Sequence, residues 1–125
     1  MKNIRLIPAL TVCLMLVLPA SAADLQKGLD AADRNDYATA LKEWRPLAER
    51  GDAAAQTFLG VMYATGEGVR ENNAIAYMWF NIAASQGDKG AVSNLDKIKQ
   101  QMTPSQVEKG QDLTRQCIAK NYKGC

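Results

Sequence analysis

The sequence predicts an all-α protein, a short solenoid of about three helical hairpins. The first observation is a helix–loop–helix signature from Ala55 to Gly87. The second is an echo of part of that signature earlier in the chain. The third is a final segment with its own start signals for two more helices. In the central stretch, Ala55, Leu59 and Tyr63 recur at four-residue steps and so share one helical face. Gly60 lies beside that face, where a missing side chain admits a close neighbour, expected here to be a second backbone. Gly66 and Gly68 end the first helix. Ala76, Trp79, Phe80, Ala83 and Ala84 then follow at helical spacing, and Gly87 stops the second helix. Small residues opposite large aromatic ones suit two close-packed antiparallel helices.

At the start of the chain, Lys2 and Arg5 precede an apolar run from Leu6 to Leu18, and Ala20-Ser21-Ala22 supplies small residues for cleavage. Residues 1–22 therefore read as a cleavable signal peptide, with Ala23 as the first residue of the mature domain, 23–125. The run falls short of the roughly 20 residues that a spanning helix needs, so no membrane span is expected after cleavage. Cys13 sits inside this run, and Leu10-Thr11-Val12 is a poor lipobox. The expected location is periplasmic, or secreted, in a Gram-negative bacterium. Lys2 and Arg5 also account for the whole excess of Lys+Arg (15) over Asp+Glu (13). The mature domain is thus neutral, and its charge supports neither nucleic acid nor an anionic membrane as a partner.

From Ala23 to Arg34, Leu25, Leu29 and Ala32 form the stripe of a short first helix. Asn35-Asp36 reads as its stop and as the N-cap of the next helix. From Tyr37 to Arg50, the residues Tyr37, Ala40, Leu41, Trp44, Leu47 and Ala48 make a wide apolar face. Pro46 falls within it and is expected to cost a hydrogen bond or bend the helix. Gly51-Asp52 ends the segment. Trp44-x-x-Leu47-Ala48-x-x-Gly51-Asp52 reappears as Trp79-x-x-Ile82-Ala83-Ala84-x-x-Gly87-Asp88, an interval within the range of helical solenoids. Residues 24–51 therefore read as an earlier, degenerate repeat.

Beyond Gly87, Asp88 caps a helix to about Gln101, with Val92, Leu95, Ile98 and Met102 on its inner face. Thr103-Pro104-Ser105-Gln106 places Thr at the N-cap, Pro at N1 and Gln at N3, which is a capping box. Val107, Gly110, Leu113, Cys117 and Ile118 form the inner face of the last helix. Terminal units of a solenoid are often atypical because they cover an exposed core end.

Cys117 and Cys125 remain after export and read first as a disulfide. Eight residues of continuous helix would span about 12 Å, more than the roughly 4.4–6.8 Å a disulfide accepts between Cα atoms. The helix must therefore stop near Lys120 or Asn121 and the tail turn back, which Gly124 permits. The alternative, a reactive thiol pair, lacks Cys-x-x-Cys spacing and an obvious activating base.

The chemistry on offer is sparse. The chain has no histidine, which removes the commonest general base and metal ligand. No phosphate-binding loop is present, Gly66-x-Gly68 reads as a turn, and no cofactor or metal is expected. Asp24, Asp30, Asp33 and Asp36 lack calcium-loop spacing and read as a solvated surface. Asp112 and Arg115 read as a surface ion pair. Periodicity assigns Tyr63, Trp44, Trp79 and Phe80 to the core. Phe58, Tyr77 and Tyr122 fall off the pattern and are the candidate exposed contacts.

Ala55-x-x-x-Leu59-Gly60-x-x-Tyr63-x-x-Gly66-x-Gly68-Val69, followed by Ala76-x-x-Trp79-Phe80-x-x-Ala83-Ala84-x-x-Gly87, resembles the Sel-one-like repeat (SLR) family, a branch of the tetratricopeptide-like solenoids. Asn72 and Asn73 stand where that family usually shows an acidic residue, and an Asn can still cap a helix. The resemblance implies a right-handed solenoid and a non-catalytic, protein-binding scaffold in the cell envelope. It also implies a groove lined from the first helix of each hairpin, here Ala54, Thr57, Val61, Ala64 and Thr65. These residues are small or uncharged, so the expected contact depends on shape rather than charge. Some cysteine-rich secreted SLR proteins have been linked to penicillin binding or hydrolysis. This chain lacks their disulfide in each repeat and any Ser-x-x-Lys. A structural subunit of an envelope assembly is the third reading.

Overall fold

A computed structural model describes residues 20–125, and all the regular structure among them is helical. The helices are α1 (Ala20–Asp33), α2 (Tyr37–Glu49), α3 (Ala53–Thr65), α4 (Asn73–Ser85), α5 (Lys89–Gln100) and α6 (Pro104–Ala119). The expected leader lies outside the described residues apart from its last three, which begin α1. No helix among the described residues is long and apolar enough to cross a membrane.

Short connections with a shared design set the chain direction. The N–H of Asp36, Asp52 and Asp88 donates to the carbonyl of Ala31, Leu47 and Ala83 respectively, closing the preceding helix. The residue before each Asp, namely Asn35, Gly51 or Gly87, takes the left-handed conformation this closure requires. Each Asp then caps the next helix, accepting from the N–H of Thr39, Ala55 or Ala91. One pair of residues thus ends a helix and starts another. Gly87 itself lies one residue beyond the C-cap, Gln86. Asn72 supplies the cap of α4 by accepting from Ile75, and the Thr103–Gln106 capping box opens α6. Pro46 does not end α2, which runs through it to Glu49 with the ring at the exposed surface.

Glycines seat aromatic rings where the helices meet. A Cβ on Gly28 of α1 would lie 2.1 Å from Trp44 of α2, and one on Gly60 of α3 would lie 2.4 Å from the Phe80 ring of α4. A Cβ on Gly110 of α6 would lie 2.5 Å from the Tyr77 ring of α4. Gly60 therefore receives an aromatic ring rather than the expected backbone. The indole N–H of Trp44 donates to Leu25 O, closing the first contact. Ala55, Leu59, Trp79 and Ala83 are buried at the centre. Tyr63 and Ala84 are half-buried. Gly66 ends α3 in the left-handed conformation, and Gly68 brings the loop onto Tyr37, to whose Cβ an added Cβ would come within 2.7 Å.

Five sequence-based placements need correction. Tyr77, expected as an exposed contact, is 3% exposed, because Gly110 makes room for its ring. Phe58 and Tyr122 are half-buried, Phe58 stacked on Trp44 with centroids 4.6 Å apart and Tyr122 against Gly51. Val92 and Ile118, expected on inner faces, are 47% and 49% exposed. The buried stripe of α5 runs through Ala91 and Ile98, and that of α6 through Gly110, Thr114 and Cys117. At about 100° per residue, Val92 and Ile118 lie roughly a quarter-turn off those stripes.

The last pair also differs from the expected hairpin. Helices α5 and α6 both pack on α4 and barely touch each other. Helix α6 runs parallel to α4, with Gly110 against Tyr77 and Thr114 accepting from Asn81. Helix α4 thereby becomes the hub, packed against α3, α5 and α6.

A buried amide joins the ends of three helices. Gln56, 0% exposed, donates to Ala48 O at 3.0 Å and accepts from the Gln86 side chain at 2.6 Å. At the C-terminus, α6 ends at Ala119 and Cys117 is joined to Cys125 with Cα atoms 5.6 Å apart. Asn121, Tyr122 and Gly124 are left-handed, which turns the tail back against the core. Asp112 and Arg115 form their ion pair on the α6 surface.

Three outcomes follow from this packing. Gly60→Leu should lower the melting temperature by roughly 5–20 °C through overpacking against Phe80, and an unchanged melt would show the contact to be loose. Thiol titration of denatured, unreduced protein should find neither Cys117 nor Cys125 free, and reduction should destabilise by about 2–3 kcal/mol if loop entropy governs. Hydrogen bonds from Thr39, the hydroxyl foremost, hold the Asp36 carboxyl below its ordinary value. That contribution is complete above the ordinary carboxylate value and is lost as pH falls through the folded-state value. Asp36→Asn should remove this part of the acid dependence of the melting temperature; an unchanged acid dependence would show that Asp36 contributes nothing measurable.

Candidate functional site

Helices α3 and α5 lie side by side and parallel on one face of the solenoid. At their first turns they are close. A Cβ on Gly90 would stand 3.9 Å from the Thr57 methyl group. Further along they enclose a recess of about 150 Å³, lined by Val61, Ala64 and Thr65 of α3 and by Asn94, Lys97, Ile98 and Gln101 of α5. Phe80 of α4 forms the floor.

The local sequence explains this shape. Gly60 and Val61 are neighbours on α3, so the Phe80 ring pressed against Gly60 emerges under Val61. Ile98, 4% exposed, belongs with Phe80 to one buried cluster, against which Val61 and Ala64 pack. Ala64 is short enough to leave the space open. The recess therefore has a firm apolar floor beneath a polar rim. Thr65 shapes the rim rather than offering a free donor, because its hydroxyl donates to Val61 O and accepts from the Glu67 N–H.

Of the five groove positions expected from sequence, Val61, Ala64 and Thr65 line this recess. Thr57 sits at the pinched end, 7% exposed, with its hydroxyl donating to Ala53 O. Ala54 is half-buried and does not line the recess. The contributions of Asn94, Lys97, Ile98 and Gln101 were not anticipated. The structural offset of Thr57 to Gly90 carries Val61, Ala64 and Thr65 to Asn94, Lys97 and Ile98, and it differs from the interval between Gly51 and Gly87 read in the sequence.

A second surface surrounds the start of α4. Tyr63, Val69, Arg70, Glu71, Asn72 and Ile75 line a broad depression of about 650 Å³, and the phenol of Tyr63 accepts from Arg45. Val69, Tyr63 of α3 and Ile75 of α4 are half-buried there against the central core, with Arg70 and Glu71 exposed at the edge. Among the described residues no group of His, Cys, Asp or Glu is arranged to hold a metal ion.

No curated protein and no solved structure matches the chain. Residues 53–88 match the family model described as the Sel1 repeat. The matched segment covers α3, the Gly66–Gly68 turn, α4 and the Asp88 cap, and it includes Val61, Ala64, Thr65 and Phe80 of the recess. Sel1 repeats build protein–protein interaction scaffolds, typically non-catalytic ones. The α3–α4 hairpin is thus a Sel1 repeat, the unit of the Sel1-like repeat family.

Proposed function

We propose that this chain is an exported, non-catalytic adaptor of the bacterial cell envelope that holds a segment of another protein between α3 and α5. The observation that carries the reading is the recess itself, an apolar floor of Phe80 and Ile98 under a polar rim between the parallel helices α3 and α5. Small side chains at Val61 and Ala64 leave room for one apolar side chain of a partner, and the rim is suited to a peptide backbone. Export is supported by the charged start, apolar run and Ala20-Ser21-Ala22 of the leader. The Cys117–Cys125 bond suits an oxidising compartment.

A photo-crosslinking residue at Thr65 should capture one dominant envelope protein in cells, whereas one at Gln111, exposed on α6, should not. Equal capture from both positions, or only self-crosslinks, would remove the docking role from this face. Ala64→Leu fills the recess from within and should abolish that capture while moving the melting temperature by only a few degrees. Retained capture would place the partner elsewhere. N-terminal sequencing of the protein from a periplasmic fraction should begin at Ala23; a chain that retains residues 1–22 would overturn export by cleavage.

A further inference from the structure

The chemistry of the α5 rim narrows the choice of partner. Asn94, Lys97 and Gln101 stand at helical spacing along one edge of the recess, and no carboxylate lines it. Among the described residues, ion pairs join Lys27 to Asp24 and Arg115 to Asp112, which leaves Lys97 without an acidic partner. None of these three rim side chains is held in a hydrogen bond among the described residues. The edge therefore offers amide donors and one ammonium beside an apolar floor.

We propose that the recess takes an extended peptide segment with an aliphatic side chain next to an acidic residue. This deepens the docking reading and rests on it. The aliphatic group sits on Phe80 and Ile98, in a volume of about 150 Å³ suited to a single side chain. The neighbouring carboxylate meets Lys97, and peptide carbonyls accept from Asn94 and Gln101. Charge complementarity selects this occupant over the chain's own first residues, which carry Lys2 and Arg5 and no acid. Lys97 also lies in the last turn of α5, where a cation suits the helix C-terminus. Lys99 shares that turn but does not line the recess, so it provides an internal control.

The test uses the intact protein and capped, fluorescein-labelled pentapeptides. These carry leucine followed by glutamate, glutamine or lysine, and a control carries alanine in place of leucine. Anisotropy gives affinity, and backbone amide shifts in the ¹H–¹⁵N spectrum give the location. The glutamate peptide should bind about threefold to fivefold more tightly than the glutamine peptide at low salt, with the preference fading as salt rises. Lys97→Gln should erase the preference, while Lys97→Arg and Lys99→Gln should retain it. Shifts should fall within 61–65 and 94–101. If glutamate and glutamine bind equally with shifts in those segments, the acidic preference is wrong and the docking reading stands. If no peptide shifts those amides, or the shifts lie elsewhere, both readings fall.

Discussion

The architecture depends on aromatic rings seated on helical glycines. Trp44 on Gly28, Phe80 on Gly60 and Tyr77 on Gly110 each fix a contact between two helices at a point where a methyl group would collide. Such a seat combines a large buried apolar area with a short interhelical distance, so the gain from burial falls with any separation of the helices. Two of the three rings belong to α4, and that explains its role as the hub. The same ring that fixes α3 against α4 also forms the floor of the groove. Stability and the shape of the recess are consequently written into one side chain, Phe80.

The connections complement these contacts. A left-handed residue followed by aspartate closes one helix through the aspartate N–H and opens the next through its carboxylate. The α1–α2, α2–α3 and α4–α5 junctions share this device, even though the first uses Asn35 where the others use Gly51 and Gly87. Asn accepts the left-handed region at lower cost than most residues, because its short polar side chain can hydrogen-bond locally. Asn35 thus does within the first hairpin what Gly51 and Gly87 do between hairpins.

Helix boundaries, caps, the central hairpin and the cysteine pairing were legible in the sequence because each rests on local chemistry. A glycine or an asparagine that must turn left, an aspartate before a helix, or a proline at N1 carries its reason within a few residues. Legibility failed where two helices had to be combined. The burial of Tyr77 depends on Gly110, which lies more than thirty positions away, and nothing near Tyr77 records it. Val92 and Ile118 were misplaced because the apolar stripe of a short helix can be drawn through either of two adjacent residues, and packing selects the one that reaches α4. Half of the groove was visible for the same reason: α3 carries the repeat's signature, whereas α5 does not.

The Gln56 amide adds a constraint of another kind. It is fully enclosed, and its two polar ends are used by groups on two other helix ends, Ala48 and Gln86. Apolar side chains alone tolerate sliding, since one methyl group replaces another as a helix moves along its neighbour. An enclosed amide does not, because displacement by one turn would strand both ends at a cost of about 1–3 kcal/mol for each unsatisfied group. The two complete hairpins are thus indexed against each other like meshed gear teeth. Any movement that opens or closes the face between α3 and α5 must come from α5, which lies outside this lock and is held by α4 alone over most of its length.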